Sequence, residues 1–278
     1  MMTGSNIMKR KHIKMKKEIL LATISYGLLF HNTSYAQDIS SPNSTAAPQR
    51  IAALSPAIVK TLVDIGLEDK IACAAGPFDE IKLSDKVQSL GLYHKPNLEL
   101  IIKCKPDLII TTFAGTPPGV HKKLKNLGYN MMLEKPDTIT AIKDFVIKMA
   151  NMFNLKMPKI VKEFDTICVA KKSKTALMVV GLNPMYVAGK KSFVSDAIAC
   201  AGYDNILDGG YKRISIERVI TLNPDRLIVA MDKPEGMREF KMLKEVFKDR
   251  IIVTNPTYIL EPSTRILQGI KELKEINK

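Results

Sequence analysis

Five aromatic residues, Tyr93, Phe113, Tyr186, Tyr211 and Tyr258, fall in segments that read as loops at strand or helix ends. Flat rings in such places suit contact with a large planar or macrocyclic ligand. In open α/β sheets, ligands sit outside the carboxyl ends of the strands. Two lobes facing each other would bring these rings into one cleft. Lys190, Lys191, Arg213 and Arg265 are the candidate cations there for an anionic group such as a ferric chelate.

Groups for covalent chemistry are scarce. A Ser–His–Asp arrangement needs a histidine, and beyond residue 36 only His94 and His121 occur, each beside a lysine. There is no G-x-S-x-G and no G-x-G-x-x-G. The segment "VAGKKS" suggests a phosphate loop, but the glycine required five positions before Gly189 is Pro184. Two histidines are too few for a His-rich zinc or manganese cage unless carboxylates supply the rest. The cysteines at 73, 104, 168 and 200 form no C-x-x-C pair, and their wide spacings match no zinc motif. An exported chain permits disulfides, although spacing alone selects no pairing. The balance favours non-covalent binding over catalysis.

The elements that must hold these residues announce themselves by repetition. "PNLELIIKCKPDLIIT" from Pro96 returns as "ISIERVITLNPDRLIVA" from Ile214, in register at a constant offset of 118 residues. Each copy predicts a helix followed by a strand. Asn97 and Ser215 are good N-caps, because their side-chain oxygens accept from free first-turn amides. Leu98, Ile101 and Ile102 recur at helical spacing in one copy, and Ile216, Val219 and Ile220 in the other. Pro106 and Pro224 end the helices, and a β-branched run follows as a buried parallel strand. Glu99 and Glu217 hold the same register in the first turn, where the helix dipole favours negative charge. Matching carboxylates on two related lobes could also engage basic pockets on a two-fold partner.

The repeat predicts an α/β fold of two similar lobes, residues 50–136 and 174–278. Between them, residues 137–173 lack strand signals and carry apolar residues at helical spacing, which predicts one long linking helix bent near Pro158. Residues 1–36 run from basic ("MKRKHIKMKKE") through 12 apolar-rich residues ("ILLATISYGLLF") to small and polar ones, the order of a secretory leader cleaved after Ala36. Residues 37–49, rich in Ser, Pro and Ala, read as a flexible lead. The net charge is +14, of which residues 1–36 contribute six Lys/Arg against Glu18, leaving about +9. The lysines are scattered among acids without interleaved aromatics, so no nucleic-acid surface is indicated.

In layout and in the motifs "PNLE…KPDLII", "SIERV…NPDRLIV", "GLNPMYVAGKKS" and "CAGYDNIL", about residues 50–270 resemble the periplasmic substrate-binding proteins of cobalamin, haem and ferric-siderophore ABC importers. The resemblance implies two Rossmann-like lobes joined by one rigid helix. It implies a monomeric periplasmic receptor, neither an enzyme nor the holder of a resident cofactor. The receptor would carry a corrinoid in its cleft, with haem or a ferric siderophore as the alternative. Its partner would be an inner-membrane permease dimer with its ATPase. Glu99 and Glu217 take the places of the family's docking glutamates, which meet permease arginines. Tyr93 and Tyr211 take those of ligand-facing tryptophans in the corrinoid branch, and Tyr186 and Tyr258 lie on or beside other aromatic ligand positions. Cys200 matches one half of a disulfide whose second half lies near the C-terminus. No cysteine follows Tyr258 here, so Cys200 is expected to be a free, buried thiol.

Overall fold

The computed structural model describes residues 46–78, 81–113, 115–168 and 174–277. The expected leader and the lead up to residue 45 lie outside them. The last residue of that lead is anchored, because the Gln49 amide donates to Asp107 Oδ2 at 2.7 Å.

Strands β1 (Ile51–Ala53), β2 (Ile71–Gly76), β3 (Gln88–Leu92), β4 (Leu108–Thr112) and β5 (Met131–Glu134) form a sheet in the order β3-β2-β1-β4-β5. Every pairing in it is parallel. Its central strands are continuously apolar or β-branched because helices cover both faces. The helices are α1 (Pro56–Asp64), α2 (Leu98–Cys104) and α3 (Pro118–Asn126). Next come α4 (Ile139–Met152) and α5 (Ile160–Ile167). A second sheet holds β6 (Lys174–Leu182), β7 (Met185–Ala188), β8 (Tyr203–Asn205), β9 (Tyr211–Arg213), β10 (Arg226–Ala230) and β11 (Ile251–Thr254). Its path is β11-β10-β6-β7-β9, with β8 beside the start of β6. Helices α6 (Phe193–Cys200), α7 (Ile216–Leu222), α8 (Arg238–Phe247), α9 (Pro256–Leu260) and α10 (Ile266–Asn277) complete it.

The sequence repeat is a structural one. Asn97 accepts from the Leu100 amide at 3.1 Å, and Ser215 from the Arg218 amide at 3.3 Å. Each helix then stops in a left-handed residue, Lys105 (φ 49°) or Asn223 (φ 43°), directly before the shared proline. The aspartate after that proline has the same task in both copies. Asp107 accepts from the amides of Gln49 and Arg50, at 2.7 and 3.0 Å. Asp225 Oδ2 accepts from the amide and hydroxyl of Thr175, at 2.8 and 2.6 Å. Each Pro-Asp therefore ends a helix and staples the strand that follows to the first strand of its sheet.

One apolar core runs through both halves. Ile51 and Ala53 of β1 and Met178 and Val180 of β6 share it with Phe145 and Met149 of α4, Phe164 of α5, and Ile266 and Ile270 of α10. Smaller clusters fill the opposite faces, with Ile101 and Leu124 under α2 and α3, and Val219 and Phe240 under α7 and α8. A polar seam also crosses between the halves. Lys60 on α1, only 3% exposed, meets Glu261 at 2.7 Å, and Thr264 Oγ1 donates to Asp64 at 2.6 Å. The α4 N-terminus is held by Asp196 of α6, which accepts from the Ile139 amide at 2.6 Å.

Two expectations are corrected. Residues 137–173 do not form one helix: α4 ends at Met152 and α5 starts at Ile160. Asn154 takes φ 50°, the Leu155 amide turns back to the Ala150 carbonyl at 2.8 Å, and Pro158 cannot extend a helix. The bend expected at Pro158 is thus a break, and the link is a helix pair. Nor is Cys200 free. It is bridged to Cys168, with Cα atoms 4.1 Å apart, and Cys73 is bridged to Cys104. The partner of Cys200 comes from the residue that ends α5, which packs beside the end of α6, and not from the C-terminal segment.

Candidate functional site

The first sheet turns at β1, since β2 and β4 flank it and the order then runs outward in opposite directions. Such a switch point opens a crevice at the carboxyl ends of the strands. Phe113 is the first residue past β4, 37% exposed, with its amide donating to the Glu134 carbonyl at 2.8 Å. Thr111 donates to Thr116 at 2.7 Å, and Thr116 to the Leu54 carbonyl at 3.3 Å, which ties this loop to the end of β1. A Cβ at Gly115 would collide with Thr112 Oγ1 and lie 3.8 Å from the Tyr93 ring, so Gly115 sits beside that ring. Tyr93 follows β3, donates its amide to the Gly76 carbonyl at 2.9 Å, and stands edge-to-face with His94, centroids 5.4 Å apart. Tyr93 and the Phe113 loop therefore meet at one end of the sheet.

In the second sheet, β7 pairs Tyr186 with Arg213 and Ala188 with Tyr211 across to β9. Directly paired residues share a face, so Tyr186, Arg213 and Tyr211 stand together on it, the two tyrosines on a diagonal. Tyr186 also pairs with Gly181 near the carboxyl end of β6. Tyr211 is partly exposed as a residue while its phenol lies inside the packing, and burial pushes that hydroxyl above the ordinary tyrosine range. Tyr258 sits in α9, just past β11, where Asn255 caps the helix by accepting from the Thr257 amide at 2.9 Å. The Arg265 guanidinium is 3.5 Å from Asp64, in the seam between the halves.

The lysines of "AGKKS" do not crown a phosphate cradle. The amides of Gly189, Lys190 and Lys191 already donate to the carbonyls of Gly210, Leu207 and Gly209, at 3.1, 2.7 and 2.8 Å. His94 Nδ1 and His121 Nε2 are buried without hydrogen-bond partners, and burial lowers the His121 pKa, which favours the neutral ring. Among the described residues no group of three His, Cys, Asp or Glu is placed to hold a metal ion. Glu99 and Glu217 are both exposed in the first turns of α2 and α7. The Ser215 side chain holds the Glu217 carboxyl below the usual range, aided by a backbone hydrogen bond.

A family model of periplasmic binding proteins matches residues 51–258, from the first strand of one sheet through the last strand of the other. The chain belongs to the periplasmic binding protein family. The Vitamin B12-binding protein of Salmonella typhi is 25% identical over 240 residues, covering 82% of this chain and 89% of that protein. The one from Vibrio campbellii is 26% identical over 265 residues, covering 89% and 93%. Among solved structures, the periplasmic vitamin B12 binding protein BtuF of Vibrio cholerae superposes with a TM-score of 0.70 at 20% identity, covering 83% of this chain and 96% of that one. The periplasmic haem binding protein HutB of the same species gives 0.70 at 15% identity, covering 82% and 98%. These structures share the two-sheet fold.

In this periplasmic binding protein, three of the five rings expected in loops sit on regular elements, Tyr186 on β7, Tyr211 on β9 and Tyr258 on α9. Within "LNPMYVAGKKS", Met185–Ala188 is a strand. Met185 to Ala188 are all apolar or aromatic, so no alternation marks β7 in the sequence, and only Tyr186 and the β-branched Val187 favour a strand there. Strand β9 is three residues long, too short for any pattern, so the placing of Arg213 against Tyr186 was not legible.

Proposed function

We propose that this periplasmic binding protein captures a corrinoid in the crevice between its two sheets and hands it to an inner-membrane ABC permease. The observation that carries the reading is the doubled aromatic mounting: Tyr93 and Phe113 at the carboxyl end of one sheet, Tyr186 and Tyr211 on one face of the other. Rings on both walls suit a large macrocycle held by its faces and edges. Tyr258 extends the second wall. Burial keeps the Tyr211 phenol protonated, which disfavours ligation of iron as a phenolate. Two of the relatives cited above carry the name Vitamin B12-binding protein, which agrees with this chemistry.

Recognition needs no covalent step. The rings exclude water from the ligand, and Arg213 beside Tyr186 supplies a donor for side-chain carbonyls of the ligand. Glu99 and Glu217 then present two matched charges to the permease dimer. Protein purified after export is to be titrated by calorimetry with cyanocobalamin, haemin and a panel of ferric siderophores. Saturable heat with cyanocobalamin is expected. Heat with haemin or a siderophore and none with the corrinoid would transfer the crevice to that ligand.

A further inference from the structure

The two halves repeat a fold but not a surface. Helices α2 and α3 cover one side of the first sheet through Ile101, Cys104 and Leu124. Helices α7 and α8 cover the equivalent side of the second through Val219, Phe240 and Leu243. On the second half this side is electrically balanced: residues 216–247 hold six Lys/Arg and six Asp/Glu. On the first half, residues 98–128 hold five lysines against Glu99 and Asp107 alone. Asp107 is already engaged by the Gln49 and Arg50 amides. All five, Lys103, Lys105, Lys122, Lys123 and Lys125, are exposed. Two large apolar side chains stand among them, Ile102 at 45% and Leu127 at 59% exposure.

We infer that this face of the first half is a docking surface for an anionic phospholipid bilayer. Charge complementarity selects the occupant. Five exposed lysines that outnumber Glu99 and Asp107 gain from a negative surface potential, and isolated exposed aliphatics can enter the headgroup boundary at little cost. A single-stranded nucleic acid would call for aromatic rings interleaved with the basic residues, and this face exposes none from residues 98 to 112 or 118 to 128 except half-buried His121. The surface is formed by α2 and α3, so it includes the helix bearing Glu99. Lipid contact would hold the receptor in two dimensions beside a membrane partner. The inference does not depend on the identity of the ligand.

The test is co-sedimentation of protein purified after export with sucrose-loaded vesicles. One set is phosphatidylcholine, the other phosphatidylcholine with phosphatidylglycerol. Binding to the anionic set alone is expected, weakening as ionic strength rises. Each lysine near such a surface raises partition about fivefold, so Lys122→Gln/Lys123→Gln/Lys125→Gln should lower it on the order of a hundredfold. Lys241→Gln/Lys244→Gln, on the balanced half, should lower it far less, and Ile102→Ser/Leu127→Ser should weaken the salt-resistant fraction. Circular dichroism and thermal melting check that each variant is folded. Absence of anionic-vesicle binding at low salt, equal losses from the two lysine sets, or equal affinity for a DNA oligonucleotide would each overturn the inference.

Discussion

Tyr186 lies directly across from Arg213 on adjacent antiparallel strands, with Tyr211 on the diagonal of the same face. A ring contact is worth about 0.5–1.5 kcal/mol beyond the area it covers. Tyr186→Ala and Tyr211→Ala are each expected to weaken cyanocobalamin binding about tenfold by calorimetry, and Tyr186→Phe much less. Arg213→Ala removes a charged donor and should also weaken cyanocobalamin binding about tenfold. Unchanged affinity in these alanine variants would remove the second sheet from the site.

Tyr211 also makes a pH prediction. Its hydroxyl ionises near pH 10 in an unfolded chain and higher in the folded one, because burial disfavours the phenolate. Above about pH 10 the folded chain keeps a proton that the unfolded chain has released. The stabilisation is therefore complete below that pH and is lost as pH rises toward the folded pKa. Urea melts at about pH 9 and 11 should show Tyr211→Phe losing less stability across that interval than the unmodified protein. Equal losses would mean that the phenol is solvated.

The Cys168–Cys200 bridge closes a loop of about 30 residues between the helix pair and α6. Cross-links of this span typically contribute roughly 2–4 kcal/mol by restricting the unfolded chain. Cys168→Ser/Cys200→Ser should lose about that much in a denaturant melt. Mass mapping after alkylation without reductant should return a peptide joining Cys200 to Cys168 and none joining it elsewhere.

Lys60 and Glu261 test the seam. A lysine this buried is tolerated because a carboxylate from the other half faces it at 2.7 Å. Removing Glu261 takes a carboxylate from a buried charge, so Glu261→Leu should destabilise by about 1–3 kcal/mol. Lys60→Met combined with Glu261→Leu should recover most of that loss, since well-packed apolar pairs often replace buried ion pairs at no cost. A double variant as unstable as the single one would show that the charges act independently.

The legibility of this chain follows period and length. The copies beginning at Pro96 and Ile214 were readable because capping residue, apolar spacing, terminating proline and strand all agree, and both halves form the same unit. The linking region was misread at Phe153–Lys159, where the apolar periodicity continues in number while Asn154 leaves the helix. Cysteine pairing was not readable because it depends on how the end of α5 packs against the end of α6, a relation between elements 32 residues apart. The pairing of Arg265 with Asp64 was not readable, because the two lie 201 positions apart in the chain and 3.5 Å apart in space.

Glu99 and Glu217 separate structure from function most sharply. Both are exposed at the start of short helices already capped by Asn97 and Ser215. The caps persist without the carboxylates, so Glu99→Gln/Glu217→Gln should melt almost as the unmodified protein does. The rings are mounted on other segments, so cyanocobalamin affinity should also hold. The permease is a different matter. A desolvated partner charge left unpaired weakens association steeply, and stimulation of transporter ATPase activity should fall by at least about tenfold. Because the Ser215 side chain keeps Glu217 charged below the usual carboxylate range, stimulation by the unmodified receptor should persist under mildly acid conditions. Ser215→Ala should shift the acid limit of that stimulation upward. Full uptake by cells carrying only the double variant would reduce both glutamates to helix-dipole partners.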